Sequence, residues 1–190
     1  MNYKDLFRRL FTLIGAPKKA WVEISTESPR RDVTSTYVYP LIALCGLAVL
    51  LSALTSDGMQ RLTFQSAMLD ICRYCVALFG GFFLASYLVD MLRQKLLQQS
   101  ANMAASQLFV GYAIGVVYFA EMLTIVFPQF FIFKWMLMAY TLYVVWEGSE
   151  VLFAVEEARR MTFTALASVA IVFSPALIRI LFNMLSNTLG

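Results

Sequence analysis

Residues 108–128 read LFVGYAIGVVYFAEMLTIVFP, an apolar stretch in which Glu121 is the one charged residue. A helix needs about 20 apolar residues to cross the hydrocarbon core of a bilayer, and this stretch has that length. Similar stretches lie at residues 37–56, 71–91, 131–153 and 163–185. The sequence therefore predicts five transmembrane helices.

The composition of the whole chain supports this prediction. Hydrophobic residues make up 60% of the 190 residues and charged residues only 14%, a proportion that is unusual for a soluble domain. Each stretch could instead be a buried helix of a soluble protein, but few polar elements remain that could cover all of them. We predict an all-α polytopic membrane helical bundle at residues 37–190, preceded by a cytoplasmic leader at residues 1–36.

The leader is predicted to form an amphipathic helix in the plane of the lipid headgroups. Leu6, Leu10 and Leu13 recur at helical spacing, and most cations lie on the other side. Pro17 is expected to divide this helix into two pieces. Trp21 is predicted to be an interfacial anchor; a docking surface for a soluble partner is the alternative. Lysines follow the short apolar run where a signal peptide would have small residues, so we expect the leader to be retained.

Lysine and arginine are distributed unevenly around the spans, which predicts the orientation because cationic loops resist translocation. A cytoplasmic N-terminus places eleven of the fifteen cations on the cytoplasmic side. These eleven are Lys4, Arg8, Arg9, Lys18, Lys19, Arg30, Arg31, Arg93, Lys95, Arg159 and Arg160. We predict a cytoplasmic N-terminus and an external C-terminus.

Four charged residues within the predicted spans are candidates for function, since a charge in the bilayer is costly unless it finds a partner or water. At about 1.5 Å per residue, Glu121 and Arg179 lie at a similar depth, which predicts an interhelical ion pair with Arg73 and Lys134 nearby at the outer boundary. Alternatively, Arg179 snorkels outward and Glu121 is protonated or hydrogen-bonded. Glu147 and Glu150 share one helix face, where they either bind a cation, relay protons or are simply hydrated.

Two pairs of glycines are predicted to mark helix packing. Gly80 and Gly81 lie in the second span, and Gly111 and Gly115 lie in the third. Glycine lets helix backbones approach closely in a membrane. We therefore expect the second and third spans to pack together at these positions.

Catalytic and cofactor signatures are not found in the sequence. The chain contains no histidine, and it has no glycine-rich phosphate loop and no GxSxG motif. The CxxC at residues 72–75 begins a predicted membrane helix, where packing is the favoured interpretation. We predict a protein without enzymatic activity, cofactor or metal, and without a nucleic-acid partner.

Several short motifs carry a family resemblance. They are PKKAWVEI at residues 17–24, YPL at 39–41, GY at 111–112 and SPAL at 174–177. Together they resemble the bacterial branch of the Yip1 family of integral membrane proteins. The resemblance implies a five-span bundle with a cytoplasmic N-terminus, placed in the bacterial cytoplasmic (inner) membrane. It supplies no catalytic residue.

Three classes of function follow from these observations. The first and favoured one is a non-enzymatic membrane organiser that recruits partners through its leader and cytoplasmic loops. The second is a small oligomeric transporter or channel subunit in which Glu121, Glu147 and Glu150 line a path. The third is an accessory subunit of a larger complex. Beyond the lipid bilayer, the expected partner is another protein or a second copy of the chain.

Overall fold

The computed structural model describes residues 3–27, 32–55 and 64–189. The α-helices are α1 (Tyr3–Gly15), α2 (Pro17–Glu27), α3 (Tyr39–Thr55), α4 (Phe64–Leu97), α5 (Met103–Val126), α6 (Phe131–Phe153) and α7 (Glu157–Leu189). A π-helical segment, Thr34–Val38, leads into α3, and the 3-10 turn Pro128–Phe130 joins α5 to α6. Those ranges contain no strand, and the predicted all-α fold is confirmed.

Five segments are long and apolar enough to cross a membrane, as predicted. They are Thr34–Ala53, Met68–Leu97, Met103–Val126, Pro128–Phe153 and Glu157–Leu185. The fourth predicted span has the same bounds as α6, but α4 and α7 are longer than the spans predicted within them. Arg93 consequently lies inside α4 and not in a loop. Residues 56–63, at and after the end of the first predicted span, fall outside the described residues.

The leader forms a helical hairpin. Pro17 occupies the first position of α2, where its missing N–H leaves no hydrogen bond unmade, and it divides the leader as expected. The leucines that define the apolar stripe, Leu6, Leu10 and Leu13, are at most 3% exposed. α1 packs on α5 and α2 packs on α6. The stripe is therefore a buried face, and protein covers it rather than lipid headgroups.

Exposed large apolar side chains form a belt around the bundle. On α7 they extend from Leu166 to Leu185, apart from Met161, and on α4 from Met68 to Tyr87. The α7 stretch is about 30 Å long, which matches the thickness of a hydrocarbon core. On α6 the exposed apolar residues stop at Tyr143. Beyond this level the helices continue toward the leader.

The long helices thus extend past the apolar belt. α4 has 34 residues and α7 has 33, so each is about 50 Å long. We call α1, α2 and the adjoining parts of α4 to α7 (residues 88–97, 103–110, 144–153 and 157–165) the leader layer. The opposite end of the bundle, at the turn Pro128–Phe130, is called the Pro128 end.

Candidate functional site

The Trp21 side chain inserts into the bundle and holds the leader hairpin against it. Its indole is 0% exposed, and its Nε1–H donates a hydrogen bond of 2.8 Å to the carbonyl of Val144. The ring stacks on Phe109 with centroids 5.4 Å apart. Gly148 makes room for it, because a Cβ there would lie 2.5 Å from the indole. The interfacial anchor predicted at Trp21 is instead an internal packing residue.

Two tyrosines and two glycines lie around the Trp21 side chain. The ring of Tyr112 lies edge-on to that of Trp21, with the ring centroids 6.3 Å apart, and the ring centroids of Tyr37 and Tyr112 are 4.7 Å apart. A Cβ at Gly115 would lie 2.5 Å from the hydroxyl of Tyr37, and one at Gly111 would meet side chains of the segment that precedes α3. The PKKAWVEI and GY motifs therefore hold the leader and the start of the first span together.

The glycine pairs have different partners from those predicted. Gly80 faces Ile178 on α7, and a Cβ at Gly81 would lie 2.6 Å from the Cα of Pro175. α4 and α7 thus approach each other closely at these glycines. α4 also contacts α5, where the hydroxyl of Tyr118 donates a 2.7 Å hydrogen bond to the carbonyl of Leu78. The predicted packing of spans two and three exists, but its basis is not the glycines.

The outer face of the hairpin is charged. Arg9 and Glu27 form an ion pair that ties α1 to α2. Partial burial lowers the pKa of Arg9, but the hydrogen bond to Glu27 and further contacts outweigh this and raise it overall. Arg8 Nη2 lies 3.5 Å from Asp5 Oδ1. The face also carries four more exposed charged residues, Lys4, Lys18, Lys19 and Glu23.

A recess of about 710 Å³ lies between the hairpin turn and α6. Lys18 and Lys19 line one side, and Tyr140 and Tyr143 line the other. The hydroxyl of Tyr140 donates a 2.7 Å hydrogen bond to the carbonyl of Ile14 and so fixes the turn. The recess lies at the edge of the apolar belt, which ends at Tyr143.

A buried ionic network joins α4 to α5 within the leader layer. Asp90 and Arg93 are each 6% exposed, with Oδ1 and Nη1 3.5 Å apart. Asp90 accepts hydrogen bonds from the Ser106 hydroxyl at 3.0 Å and the Asn102 backbone N–H at 3.1 Å. Arg93 donates to Gln99 Oε1 at 3.1 and 3.2 Å. In the sequence, Arg93 was counted only among the cations that predict orientation. The three-residue spacing of Asp90 and Arg93 places them on one helix face, and this spacing is the signal that could have revealed the pair.

Glu147 and Glu150 have different surroundings. Glu150 forms an ion pair of 2.8 Å with Arg160, whose guanidinium also lies 4.2 Å from the ring centroid of Trp146. The buried Oε2 of Glu147 has no hydrogen-bond partner among the described residues. Nor do those residues contain a group of three or more His, Cys, Asp or Glu that could hold a metal ion.

The charges near the Pro128 end pair differently from the prediction. Glu121 Oε1 lies 2.8 Å from Lys134 Nζ, so the predicted pair with Arg179 is wrong. Lys134 lies in the first turn of α6, shortly after the tight turn, which brings it nearer to Glu121 than the matched depth of Arg179 suggests. The guanidinium of Arg179 lies 5.0 Å from the ring centroid of Tyr74. Glu121, Lys134 and Arg179 nevertheless line one groove between α6 and α7.

These features define an integral membrane protein, a five-span helical bundle with a docked N-terminal hairpin. The chain belongs to the Yip1 family: the family model for the Yip1 domain matches residues 11–179. The match includes Trp21, the GY motif and the groove residues up to Arg179. Searches among curated proteins and among solved structures found no match.

Proposed function

We propose that the protein is a non-enzymatic membrane organiser that recruits a protein partner with an acidic surface to its leader layer. The observation that carries this proposal is the fixed position of the hairpin. Trp21 is enclosed by protein and bonded to Val144, so the outer face of α1 and α2 has a defined orientation. A preorganised surface loses less conformational entropy on binding than a mobile leader would.

The charge of this face indicates the chemistry of the partner. Arg8 and Arg9 are each paired with a carboxylate. Lys4, Lys18 and Lys19 then outnumber the remaining carboxylate of the hairpin, Glu23. Two of these lysines line the recess together with Glu23 and two tyrosines, so the recess has a net positive charge that suits an acidic segment with apolar side chains.

The transporter alternative has less support from the geometry. Glu121 is paired with Lys134 at the Pro128 end. Glu147 lies 13 residues further along α6 than Lys134, which is about 20 Å. The groove that Glu121 lines does not include Glu147 or Glu150 among its lining residues.

The proposed orientation has the leader layer on the cytoplasmic side of a bacterial inner membrane. It rests on the eleven cations that this orientation keeps in the cytoplasm. Reporter fusions after Gln98 and Glu156 should read cytoplasmic, and a fusion at Gly190 should read external. A cytoplasmic reading at Gly190 would overturn the orientation.

Recruitment is tested by reversing charge on the exposed face. We expect Lys18→Glu with Lys19→Glu to reduce partner co-purification from the native membrane by at least tenfold, while Arg73→Glu at the opposite end leaves it unchanged. Both lysines are exposed, so the fold should persist. Deleting α1 is a poorer test, because it would uncover the α5 surface against which Leu10 and Leu13 are buried.

Three results would contradict the proposal. The first is retention of the partner by the double lysine variant. The second is purification of the wild type as a homo-oligomer with no other protein. The third is that the lysine reversals change only the binding of anionic vesicles, which would make the hairpin a lipid-binding element.

A further inference from the structure

The groove between α6 and α7 has a composition that the recruitment proposal does not use. It encloses about 620 Å³, a volume within the range of ligand-binding pockets. Its walls are almost entirely apolar and include Val117, Met138, Val172 and Phe173. Leu78 of α4 closes its base, and it opens between the exposed faces of α6 and α7.

Charged groups are confined to one end of this groove. Glu121 and Lys134 neutralise each other at 2.8 Å. Arg179 contributes a second cation, and its Nε is buried without a hydrogen-bond partner among the described residues. The charged end therefore carries one net positive charge, which an anion in the groove would neutralise.

The charged end of the groove lies in the bilayer leaflet at the Pro128 end. Arg179 lies six residues from Leu185, where the apolar belt ends, which is about 9 Å, a distance that a snorkelling arginine largely spans. From Arg179 the groove continues to Ala165, about 20 Å along α7. The acyl layer of one leaflet is about 15 Å thick, so the apolar length of the groove crosses the bilayer midplane and reaches the leader-layer side of the apolar belt.

We propose that this groove binds one anionic phospholipid from the leaflet at the Pro128 end. The phosphate accepts hydrogen bonds from Arg179 and neutralises its charge, and Lys134 lies on the other side of the headgroup. One acyl chain occupies the apolar length of the groove between α6 and α7. Arginine suits this role because its planar guanidinium matches the geometry of a phosphate.

The bilayer is the source that fits the shape best. A free phosphate would use only the charged end and leave the apolar length of the groove empty. A transmembrane helix of a second copy would fill the apolar length but would place the unpaired cation against hydrocarbon. A phospholipid satisfies both parts with one molecule, and it reaches the groove laterally from the membrane.

The test is native mass spectrometry of the full chain after equilibration with equimolar phosphatidylglycerol and phosphatidylcholine in mild detergent. We expect the wild type to retain one phosphatidylglycerol per chain. Arg179→Gln should lower that retention about tenfold, because a charge-assisted hydrogen bond contributes at least about 1.5 kcal/mol. Arg179→Lys should give an intermediate retention, because the ammonium keeps the charge but lacks the planar geometry of the guanidinium. Arg73→Gln removes a cation at the same end but outside the groove, and should have no effect.

The apolar length of the groove is tested separately. Ala139 lines it and is exposed, so Ala139→Trp should fill the groove without disturbing the core and should displace the lipid. Ala104 is equally exposed but lies outside the groove, and Ala104→Trp is the matched control. This pair decides the outcome if Arg179→Gln proves unstable in thermal unfolding.

Several results would overturn the inference. They are equal retention of the two lipids by the wild type, unchanged retention in Arg179→Gln or in Ala139→Trp, and a lipid-free dimer that loses its stability in Ala139→Trp. Loss of phosphatidylglycerol together with intact partner recruitment would support the lipid site and leave the recruitment proposal standing, since the groove and the recess have no lining residue in common.

Discussion

The two ends of the bundle treat charge in opposite ways. In the leader layer, Asp90 and Arg93 are almost fully buried, and each has several hydrogen-bond partners from neighbouring segments. At the Pro128 end, Arg179 projects into an open groove with a donor that no described residue satisfies. A buried charge is tolerable when a network completes it. In the leader layer the buried charges are therefore neutralised by other residues of the chain, whereas the charge of Arg179 is suited to neutralisation by a ligand.

The largest expected effect is on the closed network. Asp90→Asn or Arg93→Gln should each lower the free energy of unfolding by about 3–5 kcal/mol, because each leaves a buried charge without its partner. The double variant should lose less than the sum of the two. Chemical unfolding in detergent measures this effect.

A matched control lies on the same helix. Asp70 and Arg73 have the same spacing and are 3.8 Å apart, but both are exposed. Asp70→Asn should therefore cost less than about 1 kcal/mol. Equal losses from Asp70→Asn and Asp90→Asn would show that burial does not distinguish the two pairs.

The second effect concerns the helices that run between the two ends. Gly81→Ala should destabilise the bundle by about 1–3 kcal/mol, since the added methyl group would overlap the backbone of Pro175. Gly15→Ala is the control, because a Cβ there meets nothing within 4 Å. Thermal unfolding in detergent compares the two variants. A stable Gly81→Ala protein would mean that α4 and α7 are further apart than described.

A smaller effect should be confined to the leader layer. Trp21→Phe keeps an aromatic ring but removes the hydrogen bond to Val144, which contributes about 1 kcal/mol. Amide hydrogen exchange should accelerate in α1 and α2 while α7 keeps its protection. Uniform acceleration in all helices would argue that the hairpin is not a separately docked unit.

The smallest effect distinguishes the partners of Glu121. A double-mutant cycle of Glu121→Gln with Lys134→Met should give a coupling of about 0.5–1 kcal/mol, as is usual for partly exposed ion pairs. The cycle with Arg179→Gln should give a coupling close to zero. The reverse result would restore the pair that depth alone predicts.

The sequence predicts the spans well because bilayer thickness sets their length whatever their neighbours are. α6 illustrates this, with its predicted bounds matched residue for residue. Hydropathy is less informative about the ends of α4 and α7, where polar residues continue the helix once they have found partners. Arg93 is one of them, and its network includes residues from the following loop and α5.

Contacts between distant segments were beyond what sequence patterns can specify. Trp21 and Val144 are 123 residues apart, and no periodicity relates them. The indole has the composition of an interfacial anchor, and only the fold shows that Gly148 leaves space for it inside the bundle. The glycines similarly predict close approach but not which helix approaches. The groove was not predicted, because its residues come from four helices.

The arginines of the leader layer act at two stages in the life of the chain. During membrane insertion, lysine and arginine steer orientation almost independently of nearby carboxylates, so Arg93 and Arg160 count as full charges on the nascent chain. After folding they are neutralised by Asp90 and Glu150 and no longer contribute to the surface charge. Exchanging Asp90 and Arg93 would therefore conserve the ion pair while moving the cation by three residues along the helix. Its effect on membrane orientation can then be measured separately from its effect on stability.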